Sequence, residues 1–164
     1  MAPNSQALME EGAARILEGV EQHAAGWLLR AVTHILDAWG RLDTAAYVAA
    51  LAHARDAGLI AAERVTGELA AFFAADVEDQ RTTPLAIVRS LRVEATSVLM
   101  AAGVPPVERD PYDERAFPDD IYGIVPKDLG ELGDEDLGAA LIAWGLGKSG
   151  VLRDRRNPDQ GVES

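Results

Sequence analysis

Cysteine is absent from this 164-residue chain. Its absence excludes disulfide staples, thiol nucleophiles and Cys-ligated zinc or iron–sulfur sites. Lysine is almost missing as well, standing only at 127 and 148, while thirteen arginines supply the other positive charges. Together with abundant alanine, that usage resembles the coding habit of a GC-rich bacterial genome and carries no functional information. Proline is scarce where helices are expected: from residue 5 to residue 104 only Pro84 occurs. Long apolar runs are missing too, because Glu10, Glu11, Glu18 and Glu21 interrupt the first helical stretch. Residues 1–6 have neither the basic nor the apolar region of a secretory signal. No membrane span or export signal is expected. The sequence reads as one soluble, cytoplasmic domain, long enough to bury a core without metal or disulfide support.

The residues that are present fall into two parts. Five of the eight prolines crowd between Pro105 and Pro126, behind an alanine-rich body with helical periodicity. Within this proline-rich strap and the start of the next helix, residues 108–136 hold eleven acids against Arg109, Arg115 and Lys127, a balance of −8 out of a chain total of −12. Such a surface repels phosphate backbones and anionic lipid, and its natural complement is a basic protein face. The strap also carries Tyr112, Phe117 and Tyr122, a third of the nine aromatic residues, which is a rich share for a plain linker. One arrangement packs Phe117, Ile121 and Val125 onto the body with the acids in water. The other leaves aromatics exposed beside carboxylates as a docking site.

In the body, Ala13, Leu17, Val20, Ala24, Trp27, Ala31, Ile35 and Ala38 recur every three or four residues, the spacing of one face of a helix over 6–39. A second stripe, Ala25, Leu29, Val32, Leu36 and Trp39, predicts burial on both sides of its second half, inside a bundle or against another subunit. Gly12, Gly19, Gly26, Thr33 and Gly40 recur every seven residues and suggest a close helix approach or a kink near Gly26. Asp43 or Thr44 caps a second helix to Ala57, Gly58 closes it, and a third runs over 59–77. Thr83 before Pro84 opens a fourth that ends near Ala102, with Gly103 and Pro105-Pro106 behind it. Both faces of this helix are apolar, so helices one and four are the expected core pair. A last helix over 134–149 starts on three carboxylates, and Gly145, Gly147 and Lys148 mark its end.

The expected fold is therefore all-α: an up-and-down bundle of four to five helices in one domain over 1–152. It consists of a body at 6–102, a strap at 103–133 and the last helix, with a disordered tail at 153–164. No stretch alternates like a sheet, although 121–125 fits a short extended segment.

Few residues offer chemistry. His34 and His53 each have an aspartate three positions later, Asp37 and Asp56, and two such pairs facing each other fit a divalent metal. The Glu-x-x-His signature of di-iron bundles and His-Glu-x-x-His are both lacking, and a structural histidine explains His34 between Trp27 and Ala38. Gly145-Leu146-Gly147-Lys148-Ser149 ends like a phosphate loop. However, Ile142 occupies the required first glycine position, and a helix rather than a strand precedes the lysine. The strap acids lack the order and the closing glutamate of a calcium loop.

The preferred expectation is a non-catalytic, regulatory or protein-binding module without cofactor or metal. It would dock a protein with a basic surface through Arg109, Tyr112, Asp113, Phe117, Asp119, Asp120 and Tyr122, and would contact neither nucleic acid nor membrane directly. The alternatives are a metal-dependent hydrolase built on His34, His53, Asp37 and Asp56, and a structural subunit that forms a homo-oligomer through helix one.

Overall fold

The structure is a computed structural model that describes residues 5–79, 84–105 and 134–156. Among these residues every regular element is helical: α1 (Ser5–Trp39), α2 (Thr44–Ala74), a 3₁₀ turn (Val77–Asp79), α3 (Pro84–Arg89), α4 (Leu91–Ala101) and α5 (Asp134–Arg156). None of them is long and apolar enough to cross a membrane. The strap, apart from its first three residues, lies outside the described residues, and so do residues 157–164.

Helix α1 is the axis of the bundle. The first apolar stripe buries Val20, Ala24, Trp27, Ala31, Ile35 and Ala38, and of the second Val32 and Leu36 are buried while Ala25, Leu29 and Trp39 are half-buried. Both stripes are used within one chain, because α1 packs extensively along α5 on one side and α2 on the other. The expected pairing of α1 with the fourth helix is corrected here: α4 has only 11 residues and packs more on α2 than on α1.

Two helix ends match the sequence signals. Gly40 adopts φ 63° behind α1, and its amide donates to the Leu36 carbonyl at 3.0 Å. Gly103 adopts φ 89° behind α4, where the Val104 amide reaches back to Leu99 at 2.9 Å and that of Gly103 to Met100 at 3.0 Å. These are the left-handed turns by which glycine satisfies a helix's last carbonyls. Asp43 caps α2, its carboxylate accepting from the Ala46 amide at 2.8 Å.

Gly58 and Gly145 behave differently, and three expected boundaries move. The second and third expected helices are one, α2, running uninterrupted for 31 residues through Gly58. A Cβ built on Gly58 would meet the Ala25 Cα and carbonyl oxygen at 3.3 Å. The glycine thus lets α1 and α2 approach rather than ending a helix. The last helix does not stop at Gly147 or at residue 149 but continues to Arg156, so part of the expected disordered tail is helix. A Cβ on Gly145 would lie 2.9 Å from the Ala31 Cα, and one on Gly138 would enter the Trp27 indole. Those glycines form the seam that seats α5 on α1.

The fourth expected helix is split at Ser90. Its amide is shared between the Ala86 and Ile87 carbonyls at 3.2 Å each, its hydroxyl donates to the Ile87 carbonyl at 2.6 Å, and the Val93 amide takes a tight three-residue bond to the Ser90 carbonyl at 3.0 Å. A serine hydroxyl competing for backbone carbonyls interrupts the ladder. Both apolar faces of the split helix are nevertheless buried, including Ile87, Val88, Leu91, Ala95, Val98 and Leu99.

The direction of α5 corrects the up-and-down topology. Trp27 meets Gly138, Ala31 meets Gly145, and Ile35 shares a recess with Lys148 and Leu152. Numbers rise together along the two helices, so α5 runs parallel to α1. Helix α4 also finishes at that end, since Leu99 and Val104 line the same recess. The end of α4 and the start of α5 therefore stand at different levels of the bundle, the one beside Lys148 and the other 14 residues earlier at Asp134.

The heptad series on α1 has no single purpose. A straight helix drifts about 20° per seven residues, so the series winds around the axis. Gly12 and Gly19 are buried, Gly26 is exposed with nothing within 4 Å of a Cβ, and Gly40 is the end cap. The Thr33 hydroxyl is satisfied by the Leu29 carbonyl at 2.7 Å. Gly67 on α2 is also exposed and unobstructed. Gly26→Ala and Gly67→Ala should each stabilise the fold by about 0.5–1 kcal/mol, because alanine has less backbone freedom to lose. Urea unfolding of the two single variants and the double checks both the sign and the near-additivity expected of distant sites.

Candidate functional site

The seven residues expected to bind a partner, Arg109, Tyr112, Asp113, Phe117, Asp119, Asp120 and Tyr122, all lie outside the described residues. The structure describes the ground on either side of them. On one side α4 ends in the Gly103 turn, with Val104 buried and Pro105 exposed. On the other, α5 opens directly on Asp134, Glu135 and Asp136, where the partial positive charge of a helix N-terminus favours carboxylates.

A recess of about 60 Å³ lies where α4 ends against α5, walled by Ile35, Leu99, Met100, Pro105, Trp144 and Lys148. Sequence reasoning misses it, because Lys148 reads as a helix-end residue complementing the dipole. In the structure Lys148 is one turn beyond Trp144 inside α5, only 8% exposed, with its Nζ 5.9 Å from the indole centroid. That distance suits a cation held over an aromatic face. Ser149 beside it is fully buried and donates to the Gly145 carbonyl at 2.7 Å. The four-residue spacing of Trp144 and Lys148 is the available signal, and it requires the helix to continue through Gly145. A space of this size holds a few water-sized groups, well short of the roughly 300–1,000 Å³ of ordinary small-molecule pockets.

The residues of the metal alternative are not gathered. His34 is half-buried on α1, while His53, Asp37 and Asp56 are exposed. Among the described residues no group of three or more His, Cys, Asp or Glu side chains is placed to hold a metal ion. Asp37 instead accepts a 2.7 Å hydrogen bond from the Tyr47 hydroxyl, which ties the end of α1 to the start of α2. Nearby, the Arg41 guanidinium lies 4.9 Å from the centroid of the Trp39 ring.

The hydrogen bond to Asp37, reinforced by partial burial and by the carboxylate's charge, raises the Tyr47 phenol above its ordinary value of 10.0. A group whose pKa is raised by folding contributes stability below its unfolded pKa and loses it as pH climbs through the folded one. The contribution of this pair is thus intact at neutral pH and disappears only above pH 10.0. The absorbance titration of wild type minus that of Tyr47→Phe should isolate one phenol ionising above 10.0. A difference curve centred at or below that value would remove the bond from solution.

A polar clasp joins α2 to the broken helix. Arg64 donates to Glu68 at 3.0 Å, to Glu94 at 2.7 Å, and through both terminal nitrogens to the Ser90 hydroxyl at 3.3 Å. Burial draws the Arg64 pKa down, but hydrogen bonds and charge from Glu68 and Glu94 outweigh it and hold the guanidinium above its usual range. The second Glu94 oxygen is buried without a hydrogen-bond partner among the described residues. With Arg64 and Glu68 both more than a third exposed, water screens these pairs, and their role is to fix the geometry at the break. Comparison of the chain with protein-family models, with curated proteins and with solved structures gives no match.

Proposed function

We propose that this protein is a non-catalytic, protein-binding module whose partner presents a basic surface to the strap and the acidic start of α5. The observation that supports it most is the coincidence of three aromatic residues in the segment joining α4 to α5 with a −8 charge balance over 108–136, which adds the three acids that open α5 to that segment. Its length adds to the case. The return from the level of Lys148 to Asp134 covers 14 residues of α5, ~21 Å at 1.5 Å per residue, which about seven extended residues can bridge. The 28 residues at 106–133 are several times what the connection needs. Surplus acidic, aromatic chain fixed at both ends to a helical body is suited to recognition, with Tyr112, Phe117 and Tyr122 as anchors and Asp113, Asp119 and Asp120 as the charged rim. Arg109 lies at the entrance to the segment.

Asp119→Lys/Asp120→Lys tests this reading. Wild-type protein used as bait in extracts of its native cell should capture a basic partner whose retention falls as salt rises, and the variant should lose it while keeping the same far-UV dichroism. A partner held equally by both baits would overturn the assignment to the strap.

A further inference from the structure

No further inference is drawn: the strongest candidate, the apolar recess between α4 and α5 at the Trp144 and Lys148 end of the bundle, carries nothing because nothing in the structure shows what covers it.

Discussion

Gly145→Ala and Gly138→Ala are expected to destabilise the protein by about 1–3 kcal/mol each, the usual cost of forcing a methyl group into a filled seam. The change is opposite in sign to that expected at Gly26 and Gly67, although all four glycines are helical. At Gly145 the obstacle is the Ala31 backbone, with its Cα at 2.9 Å and its carbonyl oxygen at 3.2 Å from the added carbon. No rotamer change can move a Cα, so α1 and α5 must separate. At Gly138 the obstacle is the Trp27 ring, a buried side chain only 8% exposed, whose atoms the added carbon would overlap. The two sites therefore respond differently to a smaller neighbour. Trp27→Leu should lessen the harm of Gly138→Ala, giving a favourable coupling of roughly 1 kcal/mol or more in a double-mutant cycle, and should leave Gly145→Ala unchanged. The readout is the urea midpoint at constant m-value. Neutral behaviour of Gly145→Ala would mean that α5 does not pack on α1 as described.

These glycines also show how much of the fold is legible in the sequence. A glycine after a helical run has two physical uses: to turn the chain left-handed or to admit another backbone. Gly40 and Gly103 do the first, with φ of 63° and 89°, and the residues just downstream of each glycine announce it. Asp43, a capping residue, stands three positions after Gly40, and Pro105-Pro106 stands two after Gly103. Gly58 instead precedes Leu59-Ile60-Ala61-Ala62, and Gly145 has no proline after it until Pro158. Gly58 has no stop signal behind it, so local chemistry favours continuous helix there, whereas Gly147 and Lys148 behind Gly145 read as a helix end that packing on α1 overrides. The break at Ser90 leaves a fainter mark, since one serine in a helical pattern does not reveal an arginine from 26 residues earlier reaching its hydroxyl. The parallel course of α5 has no local signal at all. It depends on which face of α1 accepts Gly138 and Gly145, a pairing between segments more than a hundred residues apart.

For the candidate site, composition conveys more than periodicity. The acids and aromatics of the strap are visible directly, whereas the burial of Lys148 against Trp144 depends on knowing that α5 continues. The second stripe of α1, which predicts burial inside a bundle or against another subunit, meets α2 where Ala25 faces Gly58. Charge balance is a property of a segment whatever its conformation. Close packing is a property of two segments together, and a single sequence names only one of them at a time.

The second large effect is expected at Leu28, where Leu28→Ala should cost about 3–5 kcal/mol, the range found when a buried leucine is truncated and the surroundings collapse only in part. Leu28 is fully buried in the middle of α1. Three residues before it Ala25 faces Gly58 of α2, and three after it Ala31 faces Gly145 of α5. Because small residues bring both neighbours close, their backbones are already near contact and cannot move inward to fill the space that Leu28 leaves. The larger buried residues such as Leu28 therefore carry most of the apolar burial, at about 25 cal/mol per Å². Ile60, 72% exposed on α2, provides the contrast: Ile60→Ala should change stability by less than about 0.5 kcal/mol. Urea unfolding of both variants checks the difference. Equal losses at the two positions would mean that α1 is not the central helix, and would remove the basis for placing α5 and the ends of the strap against it.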